Sequence, residues 1–534
     1  MDSLAPPLRS AALLRPSLRE RLRGIAICIS FANLCFVYQW SKLSSRHLEY
    51  FRYPPVDPGY LMAQAAGVIG QTLLLALVFY LISGNAKLSA APRAQWLIRT
   101  IFMVSLFYPF HVLQTESGLF GNNNWLAWAL LAAWTVAVVR YHRQLFRPVC
   151  STVLLLLTLL PLEVGTLALQ VIRPAYVEPP LAGRLAAAPN RPRVLWVIFD
   201  ELDYQWGFTK RPASVKMPEF DRLALESFSA TQARRAARST MAAIPALFTG
   251  TPLSKVAVRP PDDLALTFQA GRQTALFSSV PNIFSEARKL GFNSGIAGWY
   301  EPYCRLLANS VVSCAWSPAQ SNISPDMDRY WAWMVYLFRL QLYNFSRLAG
   351  LNSTVPTDPY GGRADRMNQI EEYETIASAA SRAVADAGLD FVYLHWPVPH
   401  RFGIYDRRTE RIVPSGTYFD NLQLADRTLG DLRSAMERVG LWDRTTVVVS
   451  ADHSARADFE SGPFIENLAP PPESPVVPFF VKLAGQRQGM RYDAAFNACL
   501  TKDMLLAIMR GEVDTPTSLA AWLEKNRQRI PLGR

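Results

Sequence analysis

Val194-Leu-Trp-Val-Ile-Phe199 is a short apolar run that passes without a break into Asp200 and Glu201. A run this brief, rich in β-branched and aromatic residues, reads as a strand buried on both faces. Two later runs share the shape. Phe391-Val-Tyr-Leu394 leads into His395 and then His400, and Thr445-Thr-Val-Val-Val-Ser450 leads into Asp452 and His453. Helical patterns lie between them, over residues 218–227, 368–387 and 420–439. Such alternation predicts an α/β domain with a mostly parallel sheet. Ligands of these sheets gather at the carboxyl ends of the strands, where these carboxylates and imidazoles fall.

The chain contains six histidines, and the three beyond residue 172 are His395, His400 and His453. All three therefore follow strand ends. Carboxylate with imidazole is a ligand set for a divalent metal such as zinc or manganese. Helix capping accounts for an isolated Asp200 but not for the grouping of histidines. A nucleophile is expected in Ala233-Arg-Arg-Ala-Ala-Arg-Ser-Thr-Met-Ala242, where Ser239 and Thr240 open a predicted helix. The helix dipole and a metal would favour an alkoxide there; a plain N-cap is the competing reading. Arg234, Arg235 and Arg238 are candidates to hold an anionic substrate.

Of the 534 residues, 50% are hydrophobic and 18% charged, below the roughly 25% charged of soluble domains. Apolar runs over 24–40, 60–83, 98–112, 125–139 and 149–172 predict an N-terminal bundle of five transmembrane helices. Arg9, Arg15, Arg19, Arg21 and Arg23 precede the first run, Lys87, Arg93 and Arg99 surround the start of the third, and Arg140, Arg143 and Arg147 separate the last two. Residues 114–124 carry no Lys or Arg, although Lys42, Arg46 and Arg52 reduce the contrast. The positive-inside rule then predicts a multi-pass protein of the cytoplasmic (inner) membrane, with its N-terminus inside and everything after residue 172 outside. The net charge of +12 is read as topology, and no nucleic-acid partner is expected. Residues 1–172 form the expected membrane domain, 173–192 a proline-rich linker, and 193–534 an exported domain. Export places Cys304 and Cys314 in an oxidising compartment that permits a disulfide. Trp299, Tyr300, Tyr303, Trp316, Trp331 and Trp333 form an aromatic stretch suited to a membrane interface or to domain packing.

In order along the chain, residues 194–203, Met217-Pro-Glu-Phe-Asp-Arg-Leu-Ala224, Thr240-Met-Ala-Ala-Ile-Pro245 with Phe248-Thr-Gly250, and Val449-Ser-Ala-Asp-His453 resemble successive motifs of the alkaline phosphatase/sulfatase superfamily. Thr240, five residues before Pro245, together with the five apolar runs, is similar to the membrane phosphoethanolamine transferases and the phosphoglycerol-transferring lipoteichoic acid synthases. The resemblance implies an exported sulfatase-like domain in which Asp200, Thr240, Asp452 and His453 bind one metal, with Glu201 as a further acidic ligand. It implies Thr240 as nucleophile, and His395 and His400 as residues that contact phosphate or a second metal. A second site departs from the pattern, because Ser454 stands where glycine is usual and no later histidine follows. The implied reaction moves a phospho-head-group from a membrane phospholipid to a lipid or glycan acceptor, and the exported domain cut free near Arg191 is expected still to cleave a small soluble phosphodiester but to fail on lipid. A membrane-tethered hydrolase of phosphate or sulfate esters is the alternative. Oligomeric state is not legible in the sequence.

Overall fold

The computed structural model describes residues 17–37, 39, 40, 50, 58–85, 91–110, 124–172, 176–186, 191–318, 363–400, 402–455 and 474–532, which divide into two compact units. The first holds the described residues up to 172 other than Tyr50. The second holds Tyr50 and the described residues from 176 onward. Trp331, Trp333, Lys42, Arg46, Arg52 and Lys87 lie outside the described residues.

The main helices of the first unit are α1 (Leu18–Cys35), α2 (Pro58–Gly84), α3 (Pro92–Ser105), α4 (Asn124–Leu156) and α5 (Leu159–Ile172). Ser17 opens α1 with a capping box, its hydroxyl accepting the Glu20 N–H while the Glu20 carboxylate accepts the Ser17 N–H. Phe31 lies 4.8 Å from Phe79 and 4.6 Å from Phe102 between ring centroids, in a small core with Cys35 and Val153. Three polar side chains on these helices are paired internally. The Asn33 amide donates to the Glu163 carboxylate at 2.9 Å, its carbonyl oxygen accepts the Trp40 indole N–H at 2.8 Å, and the Ser30 hydroxyl donates to the Val153 carbonyl. Leu74, Leu81, Val136, Leu155, Leu162 and Leu169 instead point outward and are exposed.

The five expected spans are not all matched. Among the described residues, two stretches, Ala65–Gly84 and Trp128–Leu169, have the length and hydropathy to cross a membrane. Helix α3, with 14 residues, is about 21 Å long against a hydrocarbon core of about 30 Å, and α1 carries Arg19, Arg21 and Arg23 in its first half. The expected break between the last two runs also moves. Helix α4 continues through Arg140, Arg143 and Arg147 with one non-helical residue, Tyr141 (φ −119°, ψ 22°). The chain turns instead at Leu157 and Thr158, because Pro161 has no N–H to offer the Leu157 carbonyl.

The second unit is built on an eight-stranded sheet. Its strands are β1 (Arg193–Phe199), β2 (Phe228–Ala230), β3 (Ser294–Tyr300), β4 (Ser313–Pro318), β5 (Phe391–Trp396), β6 (Thr445–Ala451), β7 (Phe479–Lys482) and β8 (Met490–Tyr492), in the order β8-β2-β7-β6-β1-β5-β3-β4. From β6 through β1, β5 and β3 to β4 all pairs are parallel, whereas β7 runs antiparallel to both neighbours. Ile198 on central β1 is level with His395 on one side and Ser450 on the other. This register brings the three strand ends read from sequence side by side.

Helices α6 (Pro218–Glu226), α7 (Thr240–Thr249), α8 (Ile283–Lys289), α9 (Arg363–Ala385), α10 (Tyr418–Arg438), α11 (Thr501–Met509) and α12 (Pro516–Asn526) accompany the sheet. Successive strand side chains face opposite ways, and the aromatic contacts follow this rule. Trp196 and Tyr393 meet Phe248 of α7, whereas Phe199 meets Phe220 of α6 and Trp396 meets Tyr373 of α9. The sheet is thus covered on both faces, as the continuous apolar runs require. Residues 176–186, within the proline-rich connection, hydrogen-bond into this unit: the Ala182 N–H donates to the Ala308 and Val311 carbonyls, and the Leu185 N–H donates to Asn293 Oδ1.

Candidate active site and metal centre

Asp200 and Glu201 follow β1, His395 is the penultimate residue of β5, His400 lies in the loop beyond it, and Asp452 and His453 follow β6. Asp200, Glu201, His395, Asp452 and His453 are buried. Ligand atoms of Asp200, Glu201 and His453 lie within 4.8 Å of one another, as do those of Asp200, His395 and Asp452. Glu201 has φ +61°, a left-handed conformation unusual for a side-chain-bearing residue and characteristic of strained functional turns. Its N–H donates to Asp452 Oδ1 at 3.1 Å and its carbonyl accepts the Tyr418 hydroxyl at 2.6 Å, so both ends of the turn are held.

Thr240 is the first residue of α7. Ser239, the N-cap, makes no side-chain cap, which removes the plain capping reading. The Thr240 hydroxyl donates to Asp200 Oδ2 at 3.1 Å and lies 3.3 Å from His453 Nε2. His453 Nδ1 donates to the Ser454 carbonyl at 2.9 Å, since a carbonyl can only accept; in a neutral ring this leaves the Nε2 lone pair facing Thr240 and Asp200. Ser454, the departure from the family pattern, is itself buried, and its hydroxyl donates to the Ser474 carbonyl at 2.6 Å.

The donor set fits a cation. Asp200 Oδ1, Asp452 Oδ2 and His395 Nε2 are buried without a hydrogen-bond partner among the described residues. Two carboxylates this close and this buried repel each other unless positive charge lies between them. Burial opposes ionisation of Asp200, but His395, His400 and His453 outweigh it and hold its carboxyl at about 2. Burial and then the Asp200 charge push Asp452 upward. Asp200, Glu201, His395, Asp452 and His453 offer the ligand atoms that would hold a metal, with the Thr240 hydroxyl against Asp200 and His453.

The predicted substrate residues separate. The loop carrying His400 is held by amides, Gln369 donating to the Pro397 carbonyl at 2.8 Å and Asn421 donating to the His400 and Phe402 carbonyls. The His400 ring lies 5.2 Å from Trp299, with Nε2 4.0 Å from Glu201 Oε1. Arg238 is exposed. The buried arginine of the run is Arg235, which donates to Ser454 Oγ and the Ser474 carbonyl. Cys304 and Cys314 form the expected disulfide. Trp299, Tyr303 and Trp316 are buried in the domain.

Sequence reading missed the carboxyl end of β3. There the Trp299 indole donates to Glu372 Oε2 at 2.6 Å, Tyr303 shares a 2.7 Å hydrogen bond with His395 Nδ1, and Glu301 is fully buried with the Tyr50 hydroxyl donating to its Oε2 at 2.5 Å. Recognising Ser294–Tyr300 as a strand would have pointed to these residues by the same strand-end rule.

The family model of type I phosphodiesterase / nucleotide pyrophosphatase matches residues 204–471. The matched stretch contains Thr240, His395, His400, Asp452 and His453. A search of curated proteins finds no match. Among solved structures, the chain is similar to the phosphonate monoester hydrolase of Agrobacterium radiobacter, with 15% identity over 60% of this chain and 74% of that one and a TM-score of 0.35. A protein of the alkaline phosphatase superfamily from Vibrio parahaemolyticus is similar with 15% identity over 66% and 73% and a TM-score of 0.36. The PsFucS1 sulfatase from Pseudoalteromonas sp. shows 14% identity over 60% and 68%, with a TM-score of 0.41. With the family model spanning half of its length, the chain belongs to the type I phosphodiesterase/nucleotide pyrophosphatase family, within the alkaline phosphatase/sulfatase superfamily.

Proposed function

We propose that this protein is a metal-dependent transferase that moves a phospho-head-group, of phosphoethanolamine or phosphoglycerol type, from a membrane phospholipid to a lipid or glycan of the cell envelope. The observation that carries the reading is the Thr240 hydroxyl, buried at the start of α7 between Asp200 and His453. When bound, a divalent metal would lower the pKa of that hydroxyl and offset negative charge on the phosphate. Asp200 Oδ2 orients the Thr240 hydroxyl, and the amino end of α7 favours the oxyanion. Thr240 gives up its hydroxyl proton to water and takes one back when it is later displaced; in between, Oγ1 bonds to phosphorus while the bond from phosphorus to the lipid alcohol breaks. His400, with His395 beside the site, gives the leaving alkoxide its proton. An acceptor hydroxyl then returns a proton to the imidazole and displaces Thr240 from phosphorus. Water in place of the acceptor makes the same site a hydrolase of phosphate or sulfate esters, the second reading.

The membrane part of the proposal rests on the first unit. Its outward leucines and valines match hydrocarbon rather than water, and Trp128–Leu169, at 42 residues, has about twice the length one pass needs. We assign the protein to the inner membrane, with residues 1–172 as a multi-pass domain, 173–192 as the connection, and 193–534 as the catalytic domain on the outer, periplasmic side. The test is full-length protein given head-group-labelled phosphatidylethanolamine and total envelope lipid. Wild type is expected to label an acceptor and, when acceptor is withheld, Thr240 itself; Thr240→Ala is expected to do neither. Rapid release of free phosphate or sulfate with no labelled acceptor would establish the hydrolase instead.

A further inference from the structure

His395 stands on β5 level with Gly298 of the neighbouring β3. Its Nε2 is 3.7 Å from Asp200 Oδ2, and its Nδ1 is 2.7 Å from the Tyr303 hydroxyl. Both rings are buried. Room for the tyrosine comes from Gly298, where a Cβ would lie 2.4 Å from Tyr303 Cε2 and 2.7 Å from Cδ2. Any other residue at 298 would displace the ring from the histidine.

The turn that carries Tyr303 is held on several sides. Its own N–H donates to the Glu301 carbonyl at 2.8 Å, and Cys304 is bridged to Cys314 on β4. Arg305 donates to Glu178 Oε1 at 2.6 Å and to the Tyr50 carbonyl at 3.4 Å. Tyr50 also donates to Glu301. A ring nitrogen tied to a group fixed in this way cannot turn about its Cβ–Cγ bond without breaking a buried hydrogen bond, whichever atom donates.

We propose that Tyr303 is a positioning residue for the phosphoester chemistry, its hydroxyl holding the His395 ring so that Nε2 stays turned toward Asp200. The proposal rests on the phosphoryl-transfer reading, in which His395 serves the phosphate. It assigns a function to the glycine at 298 and to the disulfide-bridged turn that neither motif nor family pattern supplies.

The test uses full-length protein in detergent with added zinc or manganese and bis(4-nitrophenyl) phosphate, water serving as acceptor. Tyr303→Phe keeps the ring and removes the hydroxyl. It is expected to lower kcat about 10- to 100-fold, the usual cost of losing an orienting partner, with KM within about twofold. Gly298→Ala, which displaces the ring, is expected to show the same split. In a His395→Ala background neither change should lower kcat further, because groups acting through one residue are not additive. Unchanged kcat in both variants, or an undiminished loss in the His395→Ala background, overturns the proposal. Should Tyr303→Phe fail to fold, the Gly298→Ala pair decides in the same way. A wild type that cleaves no phosphodiester, or a Thr240→Ala chain as active as wild type, overturns the phosphoryl-transfer reading and this proposal with it.

Discussion

Asp452 accepts the N–H groups of Glu201 and His453 on Oδ1, while Oδ2 is buried with no hydrogen-bond donor among the described residues. Asp452→Asn keeps the shape and removes the charge that a cation needs, and His453→Ala removes the imidazole facing Thr240. Each is expected to lower affinity for zinc or manganese by tenfold or more while the domain stays folded, and chelation of the wild type should abolish turnover. Metal content equal to wild type in both variants would show that the ion is held elsewhere. Glu301 supplies a pH-dependent prediction. Burial, only partly offset by the Tyr50 hydroxyl, pushes its carboxyl from 4.5 up to about 8. The folded chain thus keeps a proton that the unfolded chain releases, so this contribution to stability is full below about pH 4.5 and lost as pH rises to about 8. Glu301→Gln, neutral throughout, should unfold at a higher temperature than wild type at pH 8.5 and near the same temperature at pH 5. Parallel melting curves across that range would refute it. Asp200, Glu201, Asp452 and His453 were legible because each directly follows an apolar strand. Glu301, Tyr303 and Tyr50 were not, since their roles arise from contacts across 92 and 251 positions of sequence.

Strands β1, β5 and β6 stand out in sequence because burial on both faces removes polar alternation. Strand β3 does not, and its glycines are the reason. A Cβ at Gly295 would lie 2.6 Å from Leu389 Cδ1, and one at Gly298 would strike Tyr303. Close packing by neighbours thus replaces the branched side chains that mark a strand. At the amino end of the sheet, Arg193 caps α9. Its guanidinium donates to the Leu389, Val384 and Asp386 carbonyls, placing a cation where the helix dipole is negative. Arg193→Met should cost about 3 kcal/mol, because those buried carbonyls lose a charged donor, and it should leave kcat unchanged since the cap lies at the opposite strand end from the site. Chemical denaturation measures the first and phosphodiester turnover the second; a stability change below about 0.5 kcal/mol would refute the cap.

For the whole molecule, Tyr50 carries the most information. It lies between α1 and α2 in sequence yet belongs to the unit that contains the sheet. If that unit is periplasmic, the chain leaves that side after Tyr50 and returns to it before Tyr176, so the number of crossings between them is even. The proposed cytoplasmic N-terminus requires in addition that α1 makes one crossing before Tyr50. A reporter fluorescent only in the cytoplasm, fused after Arg534, should stay dark, and a cysteine placed at Asn85 should resist a membrane-impermeant thiol reagent in intact cells. A bright fusion or a readily labelled Asn85→Cys would reject this topology. The structure also changes the expectation for a fragment cut near Arg191. It would lack Tyr50 and residues 176–186, exposing Arg305 and Glu301 and leaving both without these partners.

The sequence by itself determined the α/β class, the parallel strands, the cluster of carboxylates and imidazoles at their carboxyl ends, and the pairing of Cys304 with Cys314. These features depend on local composition, on the order of motifs, or on two cysteines ten residues apart. Only the tertiary structure decided which arginine is buried beside the site, that Ser454 anchors the His453 loop, and that Tyr303 reaches His395. Each of these follows from which groups burial forces together across the sheet. Pairings of that kind are set by strand order and register, which no single stretch of sequence contains.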